Sequence, residues 1–87
     1  MINQKEPLGN IHNALELGKI VASQRKMQGL TQADLAGLAQ TGTRFISDLE
    51  NGKGTVQFDK VMHILNLLGL DVVIMDRQCQ TALKSYQ

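Results

Sequence analysis

Four polar residues recur at helical spacing in the middle of the chain, and together they carry hydrogen-bond donors and acceptors. They are Thr43, Arg44, Ser47 and Asp48. The apolar residues Phe45, Ile46 and Leu49 stand among them at i, i+1 and i+4, so a helix here has one apolar and one polar face. Hydroxyl, guanidinium and carboxylate groups on an exposed helix face are suited to hydrogen bonding with base edges in the major groove of DNA.

A second short helix is predicted just before this polar face. Thr31 is a good N-cap for a helix over residues 31–39, and Asp34 lies in its first turn, where the helix dipole favours an acid. Its apolar side is predicted to be Ala33, Leu35, Ala36 and Leu38. Residues 40–42 form a polar break that contains a glycine, and the next helix runs over about 43–50. Two helices joined by such a turn predict a helix-turn-helix, whose second helix enters the major groove.

Two further helices are predicted to complete a mainly α-helical bundle of four to five helices. The first is capped by Asn10 or Asn13 and ends near Gln28, with Gly29 as its stop. Gly18 lies inside that helix and weakens it by about 1 kcal/mol relative to alanine, so we expect it to serve close packing against another helix. The fourth helix is predicted over about 56–68, with Thr55 as its N-cap.

A short β-strand is predicted after the last helix, where β-branched residues dominate and both faces are largely apolar. The residues that we expect to make its contacts are Leu70, Val72, Val73, Ile74 and Met75. A single strand in a helical chain leaves backbone groups unpaired. The economical solution is antiparallel pairing with the same strand of a second subunit, which makes a symmetric dimer. The alternative is that this segment folds back as an irregular tail.

The chain from about Leu17 to Leu70 resembles the Xre-type helix-turn-helix family, which has the lambda-repressor-like fold of phage repressors and Cro. The matching pieces are Arg25, the run Gly29-Leu30-Thr31-Gln32-Ala33-Asp34-Leu35-Ala36, Ile46, the run Leu49-Glu50-Asn51-Gly52-Lys53, Leu65, and Leu68-Gly69-Leu70. Within the family the chain looks most like HipB-like type II antitoxins, because the apolar segment Leu68–Met75 follows the last helix where many relatives have a fifth helix.

The polar face and the resemblance together predict a set of roles on DNA. Thr43, Arg44, Ser47 and Asp48 are predicted to read bases, and Thr31, Gln32, Thr41, Asn51 and Lys53 to contact the DNA backbone. Arg44 is the best candidate for bidentate reading of guanine, and a phosphate clamp is its alternative role. Asp48 either accepts a hydrogen bond from cytosine or orients Arg44. Phe45 either contacts a thymine methyl group or packs in the core.

A buried ion pair is also implied by the resemblance. In relatives, an arginine and a glutamate at the positions of Arg25 and Glu50 commonly pair between the first helix and the end of the recognition helix. Gln32 corresponds to a glutamine that contacts phosphate and supports a residue of the recognition helix.

Composition limits the remaining functions. The 87 residues suit one small domain with a net charge of +1, which is weak support for nucleic-acid binding unless a dimer doubles the contacts. Cys79 is the only cysteine, and His12 and His63 are far apart, so we expect no disulfide, metal site, cofactor or enzyme activity. No signal peptide or membrane-spanning run is evident, which predicts a soluble bacterial protein of the cytoplasm, associated with the nucleoid when bound to DNA.

The sequence therefore predicts a flexible segment over residues 1–10, a DNA-binding domain over 11–69, a dimerisation strand over 70–75 and a flexible tail over 76–87. The predicted function is a dimeric repressor of a palindromic operator. The resemblance to HipB-like proteins implies that it is also the antitoxin of a HipA-like serine/threonine kinase toxin and autoregulates its operon. A stand-alone phage-type or host regulator is the first alternative, and a protein-interaction module that has lost DNA binding is the second.

Overall fold

Four helices form the regular structure of the computed structural model, which describes residues 7–77. They are α1 (Ala14–Met27), α2 (Gln32–Ala39), α3 (Thr43–Glu50) and α4 (Phe58–Leu67). The prediction of a mainly helical helix-turn-helix fold is confirmed, and α3 has the predicted bounds. The predicted flexible segment over 1–10 is described only from Pro7, and the predicted tail over 76–87 only as far as Arg77. The other residues of both segments, and Cys79, lie outside the described part.

Side-chain caps fix the starts of the first two helices. The Asn13 side chain accepts a hydrogen bond from the backbone N–H of Glu16 at 2.9 Å, which selects Asn13 over Asn10 as the cap of α1. Thr31 and Asp34 form a complete capping box, in which each side chain accepts from the other residue's backbone N–H at 2.9 Å.

The start of α4 differs from the prediction. Thr55 was expected to cap a helix beginning near Val56, but α4 begins at Phe58, and the residue before it, Gln57, makes no side-chain capping bond. Val56 is half-buried and packs against the core from the preceding loop. Val56 therefore belongs to the loop that leads into the core. Helix α4 starts after it, at Phe58, and buries Val61, Ile64 and Leu65.

All four helices end in the same C-terminal motif. One residue takes a left-handed conformation, and the N–H of the next residue donates to a carbonyl oxygen five positions back at 2.9–3.1 Å. The left-handed residues are Gly29 (φ 75°), Gln40 (φ 57°), Gly52 (φ 83°) and Gly69 (φ 76°). Gln40 is the one non-glycine residue with positive φ in the described part. The glycine of the helix-turn-helix turn, Gly42, is instead extended (φ −81°) and is the N-cap of α3.

The core is aliphatic and lies between α2, α3 and α4, with one side covered by α1. Its buried members are Val21, Leu35, Ala36, Ala39, Ile46, Leu49, Val61, Ile64, Leu65 and Leu68. The prediction for α2 was partly wrong, because Ala33 is exposed and Leu38 is 60% exposed. A helix of eight residues packed on one side buries a single narrow stripe, which here is Leu35, Ala36 and Ala39.

The backbones of α1 and α3 are in direct contact at Gly18, as the sequence predicted for this glycine. A Cβ atom at Gly18 would lie 2.4 Å from the carbonyl oxygen of Leu49 and 2.6 Å from that of Glu50. A Cβ atom at Gly52 would likewise lie 2.7 Å from the Cα of Leu15. Helix α1 is therefore seated directly on the C-terminal end of α3.

A buried network of charges joins α1, α2 and α3. Arg25 donates from Nε to Oε2 of Glu50 at 2.6 Å and from Nη2 to Oε1 at 3.0 Å, a bidentate ion pair. Its Nη1 donates to the carbonyl oxygen of Leu30 at 2.8 Å, and Gln32 donates from Nε2 to Oε1 of Glu50 at 3.0 Å. Arg25 is 7% and Glu50 is 9% exposed. These are the partners that the family resemblance implied.

The network favours the ionised form of Glu50. Burial alone would raise the pKa of the Glu50 carboxyl group, but the hydrogen bonds from Arg25 and Gln32 outweigh that effect and hold the pKa below its ordinary value. The pKa of Arg25 is raised by the same pairing. Both charges are therefore retained inside the fold at neutral pH.

The segment predicted to be a strand, residues 70–75, has no regular secondary structure in the single chain. A strand is defined by hydrogen bonds to a neighbouring strand, and the predicted neighbour belongs to a second copy. Leu70 is half-buried and packs against the core, whereas Val73 is 73% and Ile74 is 94% exposed. The pairing across a dimer remains a prediction.

The Gly18 contact gives a stability prediction with a matched control. We expect Gly18→Ala to destabilise the fold by about 1–3 kcal/mol, because its Cβ would meet backbone atoms that cannot move aside. Gly37→Ala makes the same chemical change in α2, where no atom lies within 4 Å of the new Cβ. It should stabilise the fold by up to about 1 kcal/mol. Urea unfolding of both variants checks this, and destabilisation by both would contradict it.

The buried pair gives a second prediction. Removing one partner leaves the other charge buried alone, so Glu50→Ala should cost about 3–5 kcal/mol of unfolding free energy. In a domain of this size the Tm should fall by more than about 10 °C. Glu16→Ala is the control, because Glu16 is a half-exposed glutamate paired only with His12. Thermal unfolding followed by circular dichroism measures both, and an unchanged Tm for Glu50→Ala would show that the pair does not support the fold.

The lowered pKa of Glu50 predicts acid sensitivity. Its contribution to stability is fully present above the unfolded-state pKa, near 4.5, and is lost as pH falls through the lower folded-state pKa. The pKa of Asp34 is also lowered, by its hydrogen bonds with Thr31, so some acid sensitivity is shared. Urea unfolding at pH values from 6 to 3 should therefore show a smaller pH dependence in Glu50→Gln than in the wild type. An equal pH dependence of the unfolding free energy in both proteins would contradict the role of the Glu50 carboxylate in acid sensitivity.

Candidate nucleic-acid interface

The outer face of α3 carries the residues predicted to read bases. Thr43 and Arg44 are exposed, and the Arg44 side chain is 88% exposed. Ser47 and Asp48 lie one turn further and are partly exposed, while Ile46 and Leu49 on the opposite face are buried. The division into a polar outer face and an apolar inner face is therefore the one that the spacing predicted. The exposed part of this face is its N-terminal turn.

Asp48 lies between the two cations of this face. Its Oδ2 atom is 4.0 Å from Nε of Arg44 and 3.5 Å from Nζ of Lys53. The Lys53 contact follows from the end of α3, because left-handed Gly52 turns the chain back and the Lys53 N–H donates to the carbonyl oxygen of Asp48 at 2.9 Å. The sequence suggested the Arg44 contact as one of two roles for Asp48 and did not predict the Lys53 contact.

The remaining polar residues near α3 are also held in place by hydrogen bonds. Asn51 donates from Nδ2 to Oγ of Ser47 at 3.3 Å, so the two side chains stand together on the exposed side of the helix end. Thr41 is half-buried in the turn between α2 and α3. These contacts fix the positions of the side chains, and their contacts with DNA remain predictions.

The start of α2 stands beside the recognition helix. Thr31 uses its hydroxyl oxygen to accept from Asp34, which leaves its O–H free as a donor. Gln32 is half-buried and donates to Glu50 at the end of α3. The part of the predicted role in which Gln32 supports a residue of the recognition helix is therefore present in the geometry. Its contact with phosphate remains a prediction.

Lys60 is a residue near the interface that the sequence did not single out. Its Nζ lies 5.7 Å from the centre of the Phe45 ring, a cation–π distance that brings the first turn of α4 beside α3. Phe45 is partly buried and packs against the core, in agreement with the core alternative. Nothing in the spacing of the sequence indicates this contact, because it depends on the path of the loop between the two helices.

Both histidines of the chain are exposed. His12 is exposed at the start of α1, beside Glu16, and His63 is exposed on α4. Among residues 7–77, no group of three or more histidine, cysteine or acidic side chains is arranged to hold a metal ion. No helix in this range is long and apolar enough to cross a membrane.

Comparison with known proteins agrees with this geometry. A family model described as helix-turn-helix matches residues 21–74. An uncharacterized HTH-type transcriptional regulator of Sinorhizobium fredii, y4mF, is 45% identical over 65 residues, which cover 75% of this chain and 86% of the relative.

Solved structures with the same fold include two complexes that contain HipB. A HipB variant in a complex with an O2 20mer has a TM-score of 0.74 and 25% identity, covering 82% of this chain and 99% of that one. A HipA-HipB-O2-O3 complex matches with a TM-score of 0.73 and 24% identity, covering 80% and 99%. The helix pair, the polar face of α3 and these matches agree, and the chain belongs to the Xre-type helix-turn-helix family of DNA-binding transcriptional regulators.

Proposed function

We propose that the protein is a dimeric repressor that binds a palindromic operator, and that it acts as a HipB-like antitoxin that autoregulates its operon. The observation that carries the proposal is the exposed polar turn of α3, which projects from a helix whose other end is fixed by Arg25 and Gln32 through Glu50. A rigid helix with an exposed N-terminal turn suits entry into the major groove. The solved complexes of HipB with an O4 20mer and of a HipB variant with an O2 20mer support the same use of the fold. Such a repressor acts in the cytoplasm, at the nucleoid.

Each base-reading and backbone residue keeps its predicted role in this proposal. Arg44 reads guanine through its guanidinium group, and Thr43, Ser47 and Asp48 contact neighbouring bases. The backbone contacts come from residues at the ends of α2 and α3, namely Thr31, Gln32, Thr41, Asn51 and Lys53. Thr41 precedes the first turn of α3, whereas Gln32 and Lys53 lie near its last turn. A duplex that meets both sets therefore lies along the whole length of α3.

Dimerisation is needed for useful affinity. The net charge is +1 for 87 residues, and six basic and four acidic residues lie between Lys19 and Lys60. One subunit therefore makes few phosphate contacts, and two subunits on one palindrome double them. The exposed apolar run Val72, Val73, Ile74 and Met75 provides a surface for a second copy, with the strands of the two subunits paired antiparallel. That surface would otherwise remain in water.

The partner toxin is the further part of the proposal. HipB is found with HipA in the solved HipA-HipB-O2-O3 complex, so a HipA-like kinase is the toxin to expect here. A stand-alone regulator with the same fold and no toxin is the alternative. A gene for a kinase-like protein directly beside this one supports the antitoxin role, and its absence favours the alternative.

The proposed function predicts two distinct mutant phenotypes on the DNA upstream of the gene. Arg44→Ala should lose about 1–3 kcal/mol of discrimination at particular base pairs, because one bidentate contact is removed. Lys53→Ala should weaken all sequences alike and make the salt dependence shallower, because it removes a phosphate contact. Fluorescence anisotropy with the upstream duplex and a scrambled duplex, at two salt concentrations, measures both effects.

Lys19→Ala is the control, since Lys19 is an exposed cation of α1 outside the proposed interface. It should bind DNA like the wild type. Sedimentation of the wild-type complex should give two subunits for each palindrome. Uniform loss of affinity in both test variants would contradict base reading by Arg44. Wild-type binding that ignores sequence would instead favour the protein-interaction alternative.

A further inference from the structure

Asp48 places a negative charge on the face of α3 that is proposed to contact DNA, whose phosphates are also negative. The Asp48 side chain is 30% exposed on the outer side of α3, and its carboxylate lies within 4.0 Å of both Arg44 and Lys53. An acid at this position repels phosphate and neutralises part of the positive charge around it. It therefore weakens the sequence-independent attraction that dominates binding to any DNA.

We propose that Asp48 is a specificity-determining residue that suppresses binding to the wrong DNA. The inference rests on the proposed DNA-binding function and adds a mechanism for its selectivity. Off the operator, the carboxylate keeps Arg44 and Lys53 as counterions, so their positive charge is less available to phosphate. On the operator, Arg44 moves to its base, Lys53 moves to phosphate, and the freed carboxylate accepts a hydrogen bond from a cytosine amino group.

The geometry allows Arg44 and Lys53 to leave Asp48 and bind DNA. The Arg44 contact is long, at 4.0 Å, and the Arg44 side chain is 88% exposed, so little has to be broken when it moves to a base. The Lys53 contact is closer, at 3.5 Å, and the Lys53 side chain is 51% exposed. Exposed ion pairs of this type are weak. DNA can therefore displace both cations, whereas the carboxylate itself stays on the helix and must meet a hydrogen-bond donor.

The backbone of the helix end keeps Lys53 close to Asp48. The left-handed Gly52 and the hydrogen bond from the Lys53 N–H to the Asp48 carbonyl oxygen fix the Lys53 Cα beside the last turn of α3. The pairing is thus a property of the C-terminal motif of α3. This places the acid between one cation at the start of the helix and another just beyond its end.

Replacing the acid by its uncharged isostere tests the inference. Asp48→Asn should bind a scrambled duplex roughly two- to fivefold more tightly per subunit at low salt, the range expected for weak surface charge pairs. Its affinity for the upstream duplex should fall or stay level, so the ratio of the upstream affinity to the scrambled affinity should drop by at least roughly two- to fivefold. Anisotropy titrations of both duplexes at two salt concentrations give these numbers.

Glu16→Gln is the matched control, because it removes the same charge from α1 and retains an oxygen that can accept from the His12 N–H. It should keep the wild-type affinity ratio. A similar loss of ratio in Glu16→Gln would show that only net charge matters and would overturn the inference. Equal weakening of Asp48→Asn on both duplexes would also overturn it, because that result indicates a structural role.

The cations provide a second check. In a Lys53→Ala background, Asp48→Asn should gain less affinity for the scrambled duplex, because one of the two counterions is gone. An undiminished gain would overturn the counterion role. The wild type separates this inference from the proposed function. If the wild type discriminates between the duplexes and Asp48→Asn discriminates equally well, only the inference fails; a wild type that binds both alike overturns the proposed function as well.

Discussion

The buried carboxylate of Glu50 is the constraint on which the arrangement of the helices depends. It accepts hydrogen bonds from Arg25 on α1 and Gln32 on α2 while belonging to α3 itself. A buried charge tolerates few geometries, because each oxygen must be satisfied inside the fold. The network therefore fixes the angle between the two helices of the helix-turn-helix more narrowly than the surrounding aliphatic side chains can, since apolar contacts are not directional.

Close backbone packing acts at the same place. Gly18 lets α1 touch the last carbonyl groups of α3, and Gly52 lets Leu15 approach the turn that follows. The absence of a side chain at both glycines brings Arg25 within reach of Glu50. A small domain with an aliphatic core has little stability to spare, so a few close contacts between charges and backbones have a large effect on the position of the recognition helix.

Capping and hydrophobic periodicity predict most helix positions from the sequence. The features that the sequence does not predict depend on contacts between distant segments. The bounds of α3 and the N-cap Thr31 follow from residues within one turn of each other, and the sequence predicts both. The start of α4 was placed too early, because it depends on Val56 reaching the core from a loop. Leu38 was expected inside and lies outside, because periodicity alone does not say how wide a stripe a short helix buries.

The candidate site shows the same division between local and distant contacts. Spacing along a helix identified Arg44 and Asp48 as outward neighbours. The approach of Lys53 to Asp48 depends on the left-handed turn at Gly52, and that of Lys60 to Phe45 depends on the loop before α4. The Arg25–Glu50 pair joins residues 25 positions apart. It was inferred from resemblance to relatives, since no periodicity links two such positions.

The fixed end of α3 has a consequence for how such proteins diverge. Glu50 anchors the last turn, whereas Thr43 and Arg44 occupy the first turn and Arg44 stands almost entirely in solvent. Helix α3 is therefore held at its C-terminal end by buried hydrogen bonds, while its N-terminal turn is exposed to solvent. The residues that hold the last turn of α3 and the two proposed base-reading residues Thr43 and Arg44 therefore occupy opposite ends of the helix, so substitutions at Thr43 and Arg44 leave the Arg25–Glu50–Gln32 contacts in place. A gene of this type can acquire a new target by drift at a few codons while its protein continues to fold.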